Sequence, residues 1–90
     1  MKYTDAYRRP IKADDVALVT KVVIRTGSAS ALSVQRYAKL GVQKTAKIIK
    51  LLEDAKVLRP ATDTTPRVVI LKNETIAVNA ALRQLKKGNK

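Results

Sequence analysis

Cysteine, histidine, phenylalanine and tryptophan are all missing from this 90-residue chain. Without cysteine there is no disulfide framework. Without cysteine and histidine, zinc-finger ligation and Cys–His or Ser–His–Asp catalysis are excluded. Glycine is scarce at three residues, and no Gly-rich Walker-type loop is present to cradle a nucleotide. Long apolar runs are absent as well. The longest hold four residues, as in Val68-Val69-Ile70-Leu71, so no transmembrane helix is expected. Charge near Met1 has no apolar stretch behind it, and nothing predicts a signal peptide. Acids are few: seven Asp and Glu stand against 19 Lys and Arg, for a net charge of +12. A field of that sign on a small domain favours a polyanionic partner, since solubility alone is served as well by acidic residues. Absence of cysteine is compatible with a reducing cytosol, and the expected location is cytoplasmic. With no histidine or cysteine, catalysis would rest on Asp14, Asp15, Glu53 and Asp54, which read better as cap and surface charges. No enzyme, cofactor, metal site or small-molecule substrate is expected.

What is present suffices for one domain with an aliphatic core. Apolar residues make up 46% of the chain, and 90 residues are too few for two domains. Residues 1–12 show no periodicity and read as a flexible basic arm. A first helix is expected from Asp14 or Asp15, with a carboxylate capping free N–H groups. Its inner face carries Val16, Val19, Val22 and Val23, and Gly27 ends it. Ser28–Ser30 reads as a very short strand or a turn. A short second helix over about Ser33–Leu40 would turn Val34, Tyr37, Ala38 and Leu40 inward, which makes Tyr37 core rather than a stacking platform. Gly41 then supplies the positive-φ turn. A third helix over about Gln43–Lys56 would bury Ala46, Ile49, Leu52 and Ala55. Val57-Leu58 and Arg67–Leu71 read as two strands of a hairpin around a Pro- and Thr-rich loop. Asn73 reads as the N-cap of a last helix, with a frayed tail after it. The fold class is mainly α with a small β-hairpin, a winged helix-turn-helix, with residues 13–72 as its domain and 73–90 as helix and tail.

Two helices joined by a short Gly-containing turn, then a hairpin, form a helix-turn-helix with a wing. In that arrangement the N-terminal residues of the second helix reach base edges in the major groove. Gln43, Lys47 and Lys50 share one face with Asp54, and Lys44 lies beside them. Lysine there can donate to guanine, and glutamine can bond adenine in both directions. Acids come only at the far end, at Glu53 and Asp54, where Lys50 mixes signs as an ordinary solvated face would. Arg36, Lys39 and Arg67 are expected on phosphates, which position without reading sequence. Tyr3, Arg8 and Arg9 either enter a minor groove as an arm or form a disordered basic terminus.

The stretch VQRYAKLGVQKTAKIIKLLEDAKVLRP, residues 34–60, resembles the C-terminal DNA-binding (gamma) domain of FtsK-type chromosome translocases. The likeness lies in Gln35-Arg36, Gly41 at the turn, and the run Ala46-Lys47-Ile48-Ile49 leading to Leu52-Glu53-Asp54. With helix one and the hairpin it extends over roughly residues 14–72. The resemblance implies that Gln43 and Lys44 open the recognition helix and read a short directional sequence. The family more often has Asn and Arg there, so the same target is not implied. Pro66-Arg67 is similar to the family's wing. Because no motor motif accompanies it, the resemblance implies a stand-alone reader of double-stranded DNA. Such a reader would serve as a transcriptional regulator or a segregation (partition-site) binder of phage, plasmid or chromosome, associated with the nucleoid.

Two other classes compete. Winged helices of this size and charge also occur among structural RNA-binding proteins of the small ribosomal subunit. A protein–protein adaptor on the same fold fits the charge poorly. The last helix carries Val78, Ala81, Leu82 and Leu85 on one face, with Ile76 in its first turn. That face predicts a homodimer, because pairing two half-sites is how small readers gain specificity. Its alternative is packing back onto helix one of the same chain.

Overall fold

The computed structural model describes residues 3–5, 7–27, 30–62, 64 and 67–88. Its elements run α1 (Ala13–Thr26), α2 (Ala31–Ala38), α3 (Val42–Asp54), β1 (Leu58–Arg59), β2 (Val68–Val69) and α4 (Glu74–Gly88). This is the mainly helical fold with one antiparallel hairpin that the sequence pattern predicts.

Helix α1 begins one residue before the expected aspartates. Lys12 occupies the N-cap position without a side-chain cap, and Asp14 and Asp15 sit inside the first turn. There they act on the positive helix end as charges rather than as caps. Val16, Val19 and Val23 are fully buried, as the three- and four-residue spacing requires. Thr20 shares that face, and its hydroxyl donates to the Val16 carbonyl at 2.7 Å, which satisfies a polar atom in an apolar interior. Gly27 ends α1 at φ 68, with its N–H on the Val23 carbonyl.

Ser28 and Ala29 lie outside the described residues, and with them the short strand or turn expected there. In α2, Val34 and Ala38 face the core, but Tyr37 is 65% exposed. The inward reading of Tyr37 is therefore corrected. An eight-residue helix has room for one narrow apolar stripe, and Val34 and Ala38, four residues apart, fill it. The turn is corrected as well. Its left-handed residue is Lys39, at φ 58 with its N–H on the Gln35 carbonyl, whereas Gly41 is extended at φ −61. Glycine at position 41 is thus not required by backbone conformation.

Helix α3 buries Thr45, Ile48, Ile49, Leu51 and Leu52. Ala46, expected inside, is exposed. The hairpin pairs Leu58 with Val69 and Arg59 with Val68. It is shorter than the expected strands, although the Val57 carbonyl extends it by accepting from Ile70 and Leu71 N–H. Val57 and Leu58 anchor it in the core. Pro66 and part of the loop lie outside the described residues.

Two further segments close the core. Asn73 caps α4 as expected, its side-chain oxygen accepting from the Ile76 N–H at 3.0 Å. Ala77, Ala81 and Leu85 are buried, chiefly against α1 and also against α3. The face on which a homodimer was expected, Val78, Ala81, Leu82 and Leu85, is therefore largely covered within the chain. Arg25 pairs with Glu74 at 3.1 Å and ties the end of α1 to the start of α4. The N-terminal segment, expected as an arm, carries Tyr3 and Ile11 into the core at 2% and 3% exposure. Aperiodic sequence hid this packing.

Candidate nucleic-acid interface

Helix α3 owes its orientation to five buried residues, which leave a stripe on its opposite side. Gln43, Ala46, Lys47 and Lys50 are exposed, at the i, i+3, i+4, i+7 spacing of one continuous helical face. Lys47 has no ion-pair partner among the described residues. Lys50 lies 3.4 Å from Asp54, with its side chain 63% exposed. The stripe therefore runs from an amide through two ammonium groups to an acid, in the order the sequence spacing implies.

Lys44 does not join the stripe. Its ammonium sits 3.4 Å from the Asp15 carboxylate, in the crease between α3 and α1, and both side chains are mostly covered. Sequence spacing placed Lys44 beside the reading face; the fold gives it a bracing contact to α1. Arg67 is also engaged, its Nε donating to Glu53 at 2.7 Å. That ion pair fastens the second strand of the hairpin to the last turn of α3. Arg36 and Lys39 are exposed at the end of α2 and in the turn. The left-handed Lys39 stands at the junction of α2 and α3, three residues ahead of the first residue of α3.

A second group of residues gathers at the start of α3. Thr4 and Pro10 form an antiparallel bridge, and the Asp5 N–H donates to the Arg9 carbonyl at 2.8 Å. The Asp5 carboxylate accepts from the Tyr7 N–H at 2.8 Å and the Arg9 N–H at 3.0 Å. It also meets Arg9 Nε at 3.2 Å. The Arg9 N–H, chiefly, then the Tyr7 N–H and the nearby charges of Arg9 and Lys44, hold its carboxyl below the usual aspartate range. Arg9 lies over the Tyr7 ring, 5.4 Å from its centre. Arg8 is exposed at φ 62. This turn and the first residues of α3 line a cleft of about 360 Å³, bounded by Asp5, Tyr7, Arg9, Gly41, Val42, Gln43 and Lys44. Asp5 and Tyr7 were not legible as site residues, although Asp followed two residues on by a backbone donor is a turn signal.

Among the described residues, no group of three or more acids is placed to hold a metal ion. No described helix is long and apolar enough to cross a membrane.

Comparison with known proteins bears on residues 13–72, which match the model of the Ftsk gamma domain. The chain is 33% identical over 52 residues to the DNA translocase FtsK of Chlamydia pneumoniae, covering 58% of this chain and 6% of that protein. It is 36% identical over 50 residues to the DNA translocase FtsK of Chlamydia muridarum, covering 56% of this chain and 6% of that protein. The corresponding Chlamydia trachomatis protein gives the same coverage. The chain thus spans a small fraction of the length of these relatives. No solved structure matches it significantly. α1 through the hairpin, which carry the helix-turn-helix and its exposed stripe, all fall within the matched residues, and the chain belongs to the Ftsk gamma domain family.

Proposed function

We propose that this chain binds double-stranded DNA, with α3 in the major groove and sequence read at its N-terminal half. One observation carries the reading: Gln43, Lys47 and Lys50 form an exposed stripe along the second helix of a helix-turn-helix. The family match over residues 13–72 supports it, as does the net charge of +12. Gln43 and Lys47 are the base-reading residues, by amide–adenine and ammonium–guanine pairing. Arg36 and Lys39 hold phosphates. Lys50, Lys44 and Arg67 contribute charge from positions already paired to acids. Arg8 and Arg9 reach the backbone from the N-terminal turn.

On this reading the chain is a binding module, serving transcriptional control or DNA segregation at the nucleoid. It acts as a monomer, because the apolar face of α4 is largely covered by α1 and α3. Selection of duplexes from a random pool at stated salt tests the proposal, followed by titration of the recovered site. Affinity should fall linearly on a log–log plot against salt, with slope about −0.9 per phosphate contacted. Gln43→Ala should flatten preference at particular base pairs. A pool that yields no preferred sequence, or a flat salt dependence, overturns the reading.

A further inference from the structure

The geometry points to a second DNA-contacting element, resting on the function proposed above. The Asp5-braced turn presents Tyr7 and Arg9 to the sugar–phosphate backbone flanking the base pairs that α3 reads. Asp5 is the positioning residue and Tyr7 and Arg9 the contact residues. This turn lies outside residues 13–72, the span matched by the family model.

Four observations carry the inference. First, the turn is anchored. Tyr3 and Ile11 on its two sides are buried, and the Ile11 N–H donates to the Tyr3 carbonyl at 3.3 Å. Second, it is preorganised. Asp5 accepts two backbone N–H groups and an arginine, and its own carbonyl accepts from the Arg8 N–H at 2.9 Å. A left-handed Arg8 is a costly conformation for a side-chain-bearing residue, and it persists here on a surface segment. Third, the ordered groups point outward. Tyr7 is 80% exposed and the Arg9 side chain 71% exposed, while Asp5 holds the Tyr7 backbone N–H and the Arg9 guanidinium, and Arg9 lies over the Tyr7 ring. Fourth, the turn shares one cleft with Gln43 and Lys44, at the end of α3 where base reading begins.

An exposed aromatic ring paired with a guanidinium suits one kind of surface. The ring offers an apolar face to deoxyribose, and the arginine offers donors to the adjoining phosphate. Because the turn is folded before binding, the ordering cost of a disordered arm is avoided. An isolated acid within a DNA-facing surface would weaken binding by repulsion. Here Asp5 is only 8% exposed and faces its own turn, so its charge is turned to bracing.

The test uses the full chain and two duplexes carrying the selected site. One is trimmed to the base pairs α3 requires, and the other is extended by about half a helical turn on each side. Wild type should bind the extended duplex roughly three- to tenfold more tightly, with a steeper salt dependence by about 0.9 per added phosphate. Tyr7→Ala and Arg9→Ala should each lose that gain, with affinity for the trimmed duplex reduced less than affinity for the extended one. Asp5→Ala should lose it too, although deleting an acid raises net positive charge and by electrostatics alone would tighten binding. Asp5→Asn, which keeps an oxygen acceptor for the turn, should restore most of the gain. If Asp5→Ala loosens the fold, Tyr7→Ala, altering an exposed side chain, still decides. Equal extension gains in wild type, Tyr7→Ala and Arg9→Ala would overturn the inference, as would no gain in wild type. Failure of wild type to select any duplex overturns the DNA-binding proposal instead, which separates the two.

Discussion

The Tyr3 hydroxyl donates to the Asp54 carboxylate at 2.5 Å, across 51 positions of sequence. The Gln84 amide from α4 donates to the same hydroxyl at 3.3 Å. The end of α3 is thus held by the N-terminal segment and α4, both outside the family-matched residues. Tyr3→Phe keeps the ring in the core and removes the bond, so it should cost about 1–2 kcal/mol. For a domain of this size that is a fall in Tm of roughly 4–8 °C per kcal/mol. Thermal unfolding checks it.

The same pair sets an alkaline limb. Burial, then the bond to Asp54, raises the Tyr3 hydroxyl above its ordinary value, because both favour the neutral form. A raised group stabilises fully below the unfolded value, about 10. That stabilisation is lost as pH rises from there through the folded value. Urea unfolding should show stability falling above about pH 10 in wild type, and the fall should be shallower in Tyr3→Phe.

Asp5 sets the acid limb with the opposite sign. Its carboxyl is lowered, first by the Arg9 N–H, so its contribution is present above the unfolded value of about 3.9. It is lost as pH falls from there through the folded value. Asp5→Asn should flatten that part of the acid transition and leave stability at neutral pH less dependent on salt. Urea midpoints measured across the acid range decide this.

Lys39 offers a test in which stability and binding move apart. It sits at φ 58, where a β-carbon costs about 1–2 kcal/mol and glycine costs little. Lys39→Gly should therefore raise Tm, whereas Lys39→Ala should leave it near wild type. Both should weaken binding to matched and scrambled duplexes alike, by the loss of one phosphate contact.

The Lys44–Asp15 contact separates bracing from reading. Asp15→Asn should lower stability by about 0.5–1 kcal/mol. It should also release the Lys44 ammonium and raise DNA affinity at low salt, with the gain shrinking as salt is added. Were Lys44 already on the DNA, the same substitution would leave base preference and salt slope unchanged apart from a uniform charge effect. Titrations at two salt concentrations distinguish these.

Local signals were legible and distant ones were not. Gly27 and Asn73 mark helix ends because each acts within its own turn. The valines of α1, from Val16 to Val23, declare their face over about two turns. Tyr37 misleads because α2 is short enough for two inward phases to fit its apolar residues, and packing against α1 and α3 decides between them. Lys39 takes the left-handed position because α2 ends at Ala38, three residues ahead of the glycine that would have suited it. Tyr3 finds its partner at Asp54, and Lys44 at Asp15, by tertiary contact alone. The exposed stripe of Gln43, Lys47 and Lys50 was legible from spacing. The turn at Asp5–Arg9 was not, since no periodicity marks it.

Oligomeric state follows from where α4 spends its apolar face. Ala81 is fully buried and Leu85 is 7% exposed, both within one chain. Leu82 is partly buried against the same core. A helix that dimerised through these residues would have to leave α1, exposing Val16, Val19 and Val23 to water. Burying each such side chain contributes about 1.5–3 kcal/mol, so packing α4 on α1 is favoured over pairing α4 face to face with a second α4. Sedimentation of the free protein should give a monomer at micromolar concentration. Leu85→Asp should unfold the chain rather than change its mass, because it puts a charge in the core. Leu82→Asp should lower stability less, with the monomer retained. A wild-type dimer that Leu82→Asp converts to a folded monomer would show that α4 pairs between chains. Two recognition helices would then approach DNA together, and the selected site would be palindromic rather than directional.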